Sequence, residues 1–131
     1  MTARAGAVDE LHAEVRVVLD AAAELVERVG LWQGGGYWPG SWVYCDGDPV
    51  CTVGALYVAA GLGGPDFATD EVGNVVGCTA RSVMTAVDAW SAVQRHLGTD
   101  AVHVWSDTPG RTATEVAAVL RATAEQLGGA R

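Results

Sequence analysis

The feature that most constrains the fold is an apolar stripe near the N-terminus. Apolar residues recur there at intervals of three and four, and charged side chains fill the opposite face; the apolar positions are Leu11, Val15, Val18, Ala22, Leu25 and Val29. This spacing is typical of a helix that packs one face against a core. Gly30 supplies a stop signal. The sequence therefore predicts a helix from about 8 to 29, preceded by a disordered tail over 1–7.

Two further segments show helical spacing. Thr79 is suited to cap a helix that Gly98 ends, and its apolar stripe consists of Val83, Val87, Trp90, Val93 and Leu97. The last helix is predicted from about 113 to 127, with Val116, Val119, Leu120, Thr123 and Leu127 facing inward. Both segments carry the three- and four-residue periodicity of an amphipathic helix.

The remaining segments are shorter. Residues 52–60 form a predicted short helix that Gly61 closes. An Asp-Gly pair lies inside 42–51, which favours a hairpin, and alternation over 101–105 favours a short strand. The predicted class is thus an α-dominated α+β fold: a small helical domain of three long helices and one short helix, with a minor β hairpin or small sheet. One globular domain is expected over 8–129. The predicted core comprises Leu11, Val15, Val18, Leu25, Leu56, Val83, Val87, Trp90, Val104, Val116, Leu120 and Leu127.

Composition excludes several classes of protein. The chain has 131 residues and a net charge of -8, and all of its fixed positive side chains are arginines. An acidic chain without a basic stripe is poorly suited to nucleic acid. No apolar run approaches the ~20 residues of a membrane helix. The N-terminus lacks the apolar core of a signal peptide, so a cytoplasmic location is expected.

The cysteines and histidines match no metal signature. The cysteines are Cys45, Cys51 and Cys78, and the histidines are His12, His96 and His103. The chain has no Cys-x-x-Cys motif and no pair of histidines at i,i+4. The glycine run over 34–36 is not followed by the Lys-Ser/Thr of a phosphate loop. We expect neither a metal nor another cofactor.

The densest cluster of signals is "WSDTPGRTATEV", Trp105 to Val116. Thr112 and Glu115 have the spacing of a capping box, and Pro109-Gly110 favours a tight turn. Arg111 can pair with Asp107 or with an acid elsewhere in the chain. One interpretation is that these residues only build a corner of the fold.

A second interpretation makes the same corner a binding site. A helix N-terminus beside an arginine favours an anion, such as a carboxylate or a phosphate. Trp105, Arg111 and Thr112 are then candidate ligand-binding residues.

Aromatic residues concentrate in the glycine-rich segment that follows the first helix. The candidate binding residues here are Trp32, Gln33, Trp38, Trp42 and Tyr44, together with Tyr37. If these rings are exposed, they form an apolar recognition surface; if they are buried, they close the helical core. A homodimer is an expectation in the exposed case, because such a surface requires a partner.

Cys51 precedes a predicted helix start, a position that can lower the pKa of a thiol. His103 and Asp107 are candidates to assist it in a Cys-His-Asp arrangement for acyl transfer. The alternative is a small buried cysteine at the foot of a helix.

Three motifs carry a resemblance to a known family. They are Trp32-Gln33-Gly34, Cys51-x-x-Gly54-Ala55-Leu56, and Trp105-x-Asp107-x-Pro109-Gly110-Arg111-Thr112 followed by Glu115-Val116. Their order and spacing resemble a family of small uncharacterised proteins of actinobacteria and their phages, a domain of unknown function, across about residues 10–127. The chain departs from that pattern in its "GGYWPGS" loop and at Ser106, where asparagine is common. The resemblance implies a shared fold and no activity.

Three functional hypotheses follow. The first is a binding or accessory protein that holds an unknown partner protein or a small anionic ligand with the aromatic loop and the Arg111 turn. The second is a small cysteine-dependent enzyme of acyl-transfer or hydrolase type with Cys51 as its nucleophile. The third is an inhibitory or structural protein that acts through its acidic surface.

Overall fold

Helices dominate the computed structural model. It describes residues 2–34, 37–39, 44–62, 68–69, 75–76 and 80–129, and it describes side chains within 12–34, 37–39, 44–62 and 82–128. The elements are α1 (Thr2–Val29), α2 (Thr52–Ala59), β1 (Ala68–Thr69), β2 (Val75–Val76), α3 (Ala80–Leu97), α4 (Val102–Ser106) and α5 (Ala113–Gly129). The α-dominated class is therefore confirmed.

The three long helices lie where the apolar periodicity places them. Helix α1 begins at Thr2, so it also covers most of the segment predicted to be a tail, and it ends at the predicted Val29. Helices α3 and α5 begin within a residue or so of their predicted starts, and α2 agrees equally well. Gly30, Gly61 and Gly98, which follow three of these helices, have positive φ angles.

Helix α1 is the centre of the packing. It contacts α5 most extensively and also packs on α2 and α3. An ion pair joins its Glu27 to Arg121 of α5, while its Arg16 lies against Gly128 at the far end of α5. The two helices are therefore antiparallel. Six predicted core residues are buried at or near this interface: Val15, Val18, Leu25, Leu56, Val116 and Leu120.

For two residues the prediction that they lie in the core is wrong. Val87 of α3 is 47% exposed, because α3 turns its small residues Ala86, Ala89 and Ala92 inward and thus approaches its neighbours closely. Val104 is 59% exposed. Val83, Trp90 and Leu127 are only partly buried, and the side chain of Leu11 lies outside the described residues.

The error at Val104 has the same origin as the error in the predicted strand over 101–105. This segment forms the helix α4 instead. In a strand, Val102 and Val104 would share a face, but in a helix positions i and i+4 share it. Val102 and Ser106 are accordingly buried, and Val104 points outward.

The predicted hairpin over 42–51 is also wrong in the part that the structure describes. Residues 44–48 form a turn in which Asp48 N–H donates to the Cys45 carbonyl. Val50 then pairs with Leu31 in a single parallel bridge. Pro49 has no N–H to extend a ladder. The predicted site residue Trp42 lies outside the described residues.

Candidate binding corner

The start of α2 and the end of α4 meet at a buried hydroxyl. Ser106 is the last residue of α4, and its Oγ accepts hydrogen bonds from the Thr52 N–H at 3.1 Å and from the Thr52 hydroxyl at 2.8 Å. Both residues are fully buried. Buried polar groups of this kind are costly when unpaired, so this contact fixes α4 against α2.

Beyond α4 the chain makes the predicted tight turn. Arg111 N–H donates to the Thr108 carbonyl at 3.0 Å, and Gly110 between them has a φ of 86°. A hydrogen bond across four residues with glycine at positive φ in the third is the pattern of a type II turn. Pro109-Gly110 thus returns the chain toward α5.

Helix α5 begins with the predicted threonine cap. Thr112 Oγ1 accepts a hydrogen bond from Glu115 N–H at 3.1 Å and donates one to the Glu115 carboxylate at 3.2 Å. The hydroxyl therefore satisfies one of the backbone donors that a helix start leaves open. The carboxylate lies beside this cap and also accepts from Arg111.

Arg111 is held on three sides. Its guanidinium carbon lies 4.2 Å from the centroid of the Trp105 ring, its Nε donates to the Trp105 carbonyl at 3.1 Å, and its Nη1 pairs with Glu115 at 3.0 Å. The Arg111 side chain is 20% exposed. Of the two predicted alternatives, Asp107 or an acid elsewhere in the chain, the second is confirmed: the partner is Glu115, four residues further along.

The segment after α1 reaches this corner through Gln33. Its side-chain amide donates to the carbonyls of Ser106 and Thr108, at 3.0 Å and 2.9 Å. These contacts join residues more than seventy positions apart in the chain. The two segments that the sequence singles out for binding therefore meet at Gln33.

The loop aromatics divide between core and surface. Trp38 is buried and packs edge-on against the partly buried Tyr44 at 5.6 Å, whereas Tyr37 is 40% exposed. The Tyr37 ring contacts Tyr57 of α2 at 4.9 Å. Burial, followed by the effect of Tyr37, raises the pKa of Tyr57 to about 12. The loop therefore closes the core with the Trp38 ring and leaves the Tyr37 ring partly exposed to solvent.

Two glycines make room for this loop. A Cβ on Gly54 would collide with the Tyr37 carbonyl oxygen, and a Cβ on Gly34 would collide with the Trp32 ring. Tyr37 is held in this position because its carbonyl accepts the Cys51 N–H at 2.9 Å. Close backbone approach of this kind is a role that only glycine fills.

Cys51 caps α2 and is almost inaccessible. Its sulfur accepts the Gly54 N–H at 3.3 Å, and the residue is only 5% exposed. Burial raises the pKa of the Cys51 thiol; the N–H groups of Gly54 and Val53 act in the opposite direction, and the carboxylate of Asp107 raises the pKa further. The enzyme hypothesis requires an accessible, acidic thiol, and Cys51 has neither property.

The other two residues of the proposed Cys-His-Asp arrangement lie on or next to α4. His103 is exposed on α4 and Asp107 caps its C-terminus. Within the described part of the chain, no hydrogen bond joins Cys51 to either residue. The geometry therefore offers no relay for a proton from the sulfur.

Sequence reasoning missed the residues that hold the corner together. Thr52, Gly54 and Ser106 were not predicted site residues, although they fix α4 and Tyr37 against α2. The available signals were the small residues at the start of α2 and the serine at 106. We call Gln33, Tyr37, Trp105 and Arg111 the corner surface.

Metal-binding and membrane-spanning features are absent from the part of the chain that the structure describes. The described residues contain no cluster of three or more His, Cys, Asp or Glu side chains placed to hold a metal ion. No helix among them has the length and apolar character needed to cross a membrane.

Comparison with curated proteins and with solved structures found no match. One family model does match, and it covers residues 10–126, which run from the first third of α1 to the last turn of α5. The chain therefore belongs to DUF6197, a family of unknown function.

Proposed function

We propose that the chain is a binding domain that holds a partner protein or a small anionic ligand at the corner surface. The observation that carries this proposal is the Gln33 side chain, which donates to the carbonyls of Ser106 and Thr108. This contact brings the start of the aromatic loop against the turn that carries Arg111. We further propose that the chain acts in the cytoplasm, which agrees with the unpaired thiol of Cys51.

Arg111 is suited to recognise an acceptor group. A guanidinium has five N–H donors, and Arg111 uses two of them, on Trp105 and Glu115. The other three have no acceptor among the described residues. Because the ring of Trp105 already fixes the side chain, little conformational entropy remains to be lost on binding.

The charge around Arg111 distinguishes between ligands. Glu115 neutralises part of the guanidinium charge at a distance of 3.0 Å. A doubly charged phosphate gains less at such a site than a single carboxylate or a peptide carbonyl does. A segment of a partner protein is therefore the better candidate, and a small free anion is the second.

Exposed apolar groups on the aromatic loop and on α4 fit a protein partner. Tyr37 and Val104 are among the large hydrophobic residues that remain exposed in the described chain. Tyrosine, tryptophan and arginine are the residues that most often dominate binding energy at protein interfaces. The corner surface combines all three types.

The test uses a random-peptide display library selected on the intact chain. The selected peptides are then titrated against Arg111→Ala and against Arg121→Ala, which removes an arginine of α5 that is also paired with a glutamate. We expect Arg111→Ala to weaken peptide binding by at least about tenfold, since charge-assisted hydrogen bonds contribute 1.5–3 kcal/mol. Arg121→Ala should leave it unchanged.

Thermal unfolding of both variants separates binding from folding. If Arg111→Ala lowers the melting temperature much more than Arg121→Ala while affinity is unchanged, the corner is structural. Titrations with acetate and inorganic phosphate test the small-anion alternative. If Arg111→Ala leaves the peptide affinity unchanged and added salt weakens it strongly, the result would instead favour binding through the acidic surface.

A further inference from the structure

A small polar cavity lies at the opposite end of α5 from the corner surface. It has a volume of about 150 Å³ and is lined by His12 and Val15 of α1, Asp88, Ser91 and Arg95 of α3, and Leu127 of α5. Leu127 lies roughly 21 Å along the helix axis from Ala113, the first residue of α5, at 1.5 Å per residue. The cavity is therefore separate from the proposed binding corner.

The polar side chains around this cavity are not paired with one another. His12, Asp88, Ser91 and Arg95 make no hydrogen bond or ion pair with any described residue. His12, Asp88 and Ser91 are half-buried, and Arg95 is exposed. Their polar atoms are not sealed from solvent, since Trp90 Nε1 is the one buried side-chain polar atom without a partner among the described residues. The four side chains are therefore open to water or to a ligand that enters the cavity. Without a hydrogen bond between them, Ser91, His12 and Asp88 form no catalytic relay.

Opposite charges on one helix line the cavity. Asp88, Ser91 and Arg95 follow one another at intervals of three and four residues, so they share a face of α3. The backbones of Asp88 and Arg95 are about 10 Å apart along the helix axis. Val15 and Leu127 supply apolar walls from the two neighbouring helices.

We infer that this cavity binds a small zwitterion of the amino-acid class. The ammonium group of the ligand pairs with Asp88 and its carboxylate with Arg95. Ser91 and His12 donate further hydrogen bonds, and the short carbon chain lies between Val15 and Leu127. A simple anion would be repelled by Asp88 and a simple cation by Arg95. The separation of the charges favours an amino acid whose two charged groups lie at opposite ends of a short chain.

The test titrates the intact chain with γ-aminobutyrate and follows backbone amide NMR signals at Asp88, Ser91 and Arg95. We expect saturable shifts with a Kd of about 1 mM, because a ligand with so few atoms gains limited binding energy. Butyrate and propylammonium each lack one charged group and should bind at least about tenfold more weakly, since each loses one charge-assisted hydrogen bond.

Variants locate the site. Asp88→Asn and Arg95→Gln should each weaken binding at least about tenfold, for the same loss of a charge-assisted contact. Leu127→Trp should abolish binding by filling the space. Asp100→Asn and Arg28→Gln make the same charge changes on exposed residues elsewhere and should leave it unchanged.

Three results would overturn the inference. The first is the absence of saturable shifts in the native chain. The second is binding of butyrate as tight as that of γ-aminobutyrate, which would show a plain anion site. The third is binding that survives Leu127→Trp in a chain whose thermal unfolding is unchanged.

Discussion

Helices α2 and α5 begin in the same way but in different surroundings. At each start a side chain accepts the N–H three residues further on: Cys51 from Gly54, and Thr112 from Glu115. Cys51 is buried beneath the aromatic loop, whereas Thr112 is exposed. The same local geometry therefore gives a buried helix start in one case and a solvent-accessible helix start in the other.

The difference shows that burial, rather than the helix start itself, decides the chemistry of the first residue. A helix N-terminus favours a thiolate, and the N–H groups near Cys51 do lower its pKa. Desolvation is the larger effect and raises the pKa. At α5 most of the first residues are exposed to solvent, so the remaining N–H donors of the nearby Arg111 are available to a ligand.

The largest expected effect is at the buried start. Gly54→Ala places a methyl group against the Tyr37 carbonyl, which is backbone and cannot move without breaking its hydrogen bond from Cys51. We expect a loss of about 1–3 kcal/mol in the free energy of unfolding, typical of overpacking. Urea unfolding followed by circular dichroism measures it.

Gly128→Ala is the matched control, since it also replaces a glycine within a helix. The three atoms nearest to the new methyl group all belong to the guanidinium end of Arg16, which is flexible. The better helix propensity of alanine should then stabilise the chain by up to about 1 kcal/mol. Equal effects at Gly54 and Gly128 would show that Tyr37 is not seated as tightly as described.

The next expected effect concerns the reactivity of Cys51. Burial and a raised pKa should make its reaction with iodoacetamide at about pH 6 at least tenfold slower than that of a small free thiol. Peptide mass spectrometry identifies the labelled cysteine, and the urea-unfolded chain supplies the unprotected rate. Labelling of the native chain faster than that of the free thiol would restore the nucleophile hypothesis.

Local signals predicted the parts of the corner that depend on neighbours in sequence. The Thr112 cap and the Pro109-Gly110 turn are both present, because each needs residues only a few positions apart. The contact of Thr52 with Ser106 joins positions 54 apart, and no local pattern specifies it. The same limit explains α4, where the alternation of Val102 and Val104 fits a strand as well as it fits a short helix until the packing partner is known.

The smallest expected effect is at the exposed start. Thr112→Ala removes the cap of α5 and should cost about 1 kcal/mol in the free energy of unfolding. Thr114→Ala, an exposed change in the first turn of the same helix, should cost nothing, since alanine is the better helix former. Thr112→Ser should restore stability because it keeps the hydroxyl. A larger loss in the free energy of unfolding from Thr112→Ala than from Gly54→Ala would contradict this order. The exposed start of α5 would then stabilise the corner more than the buried start of α2 does, and the contrast between the two helix starts would be reversed.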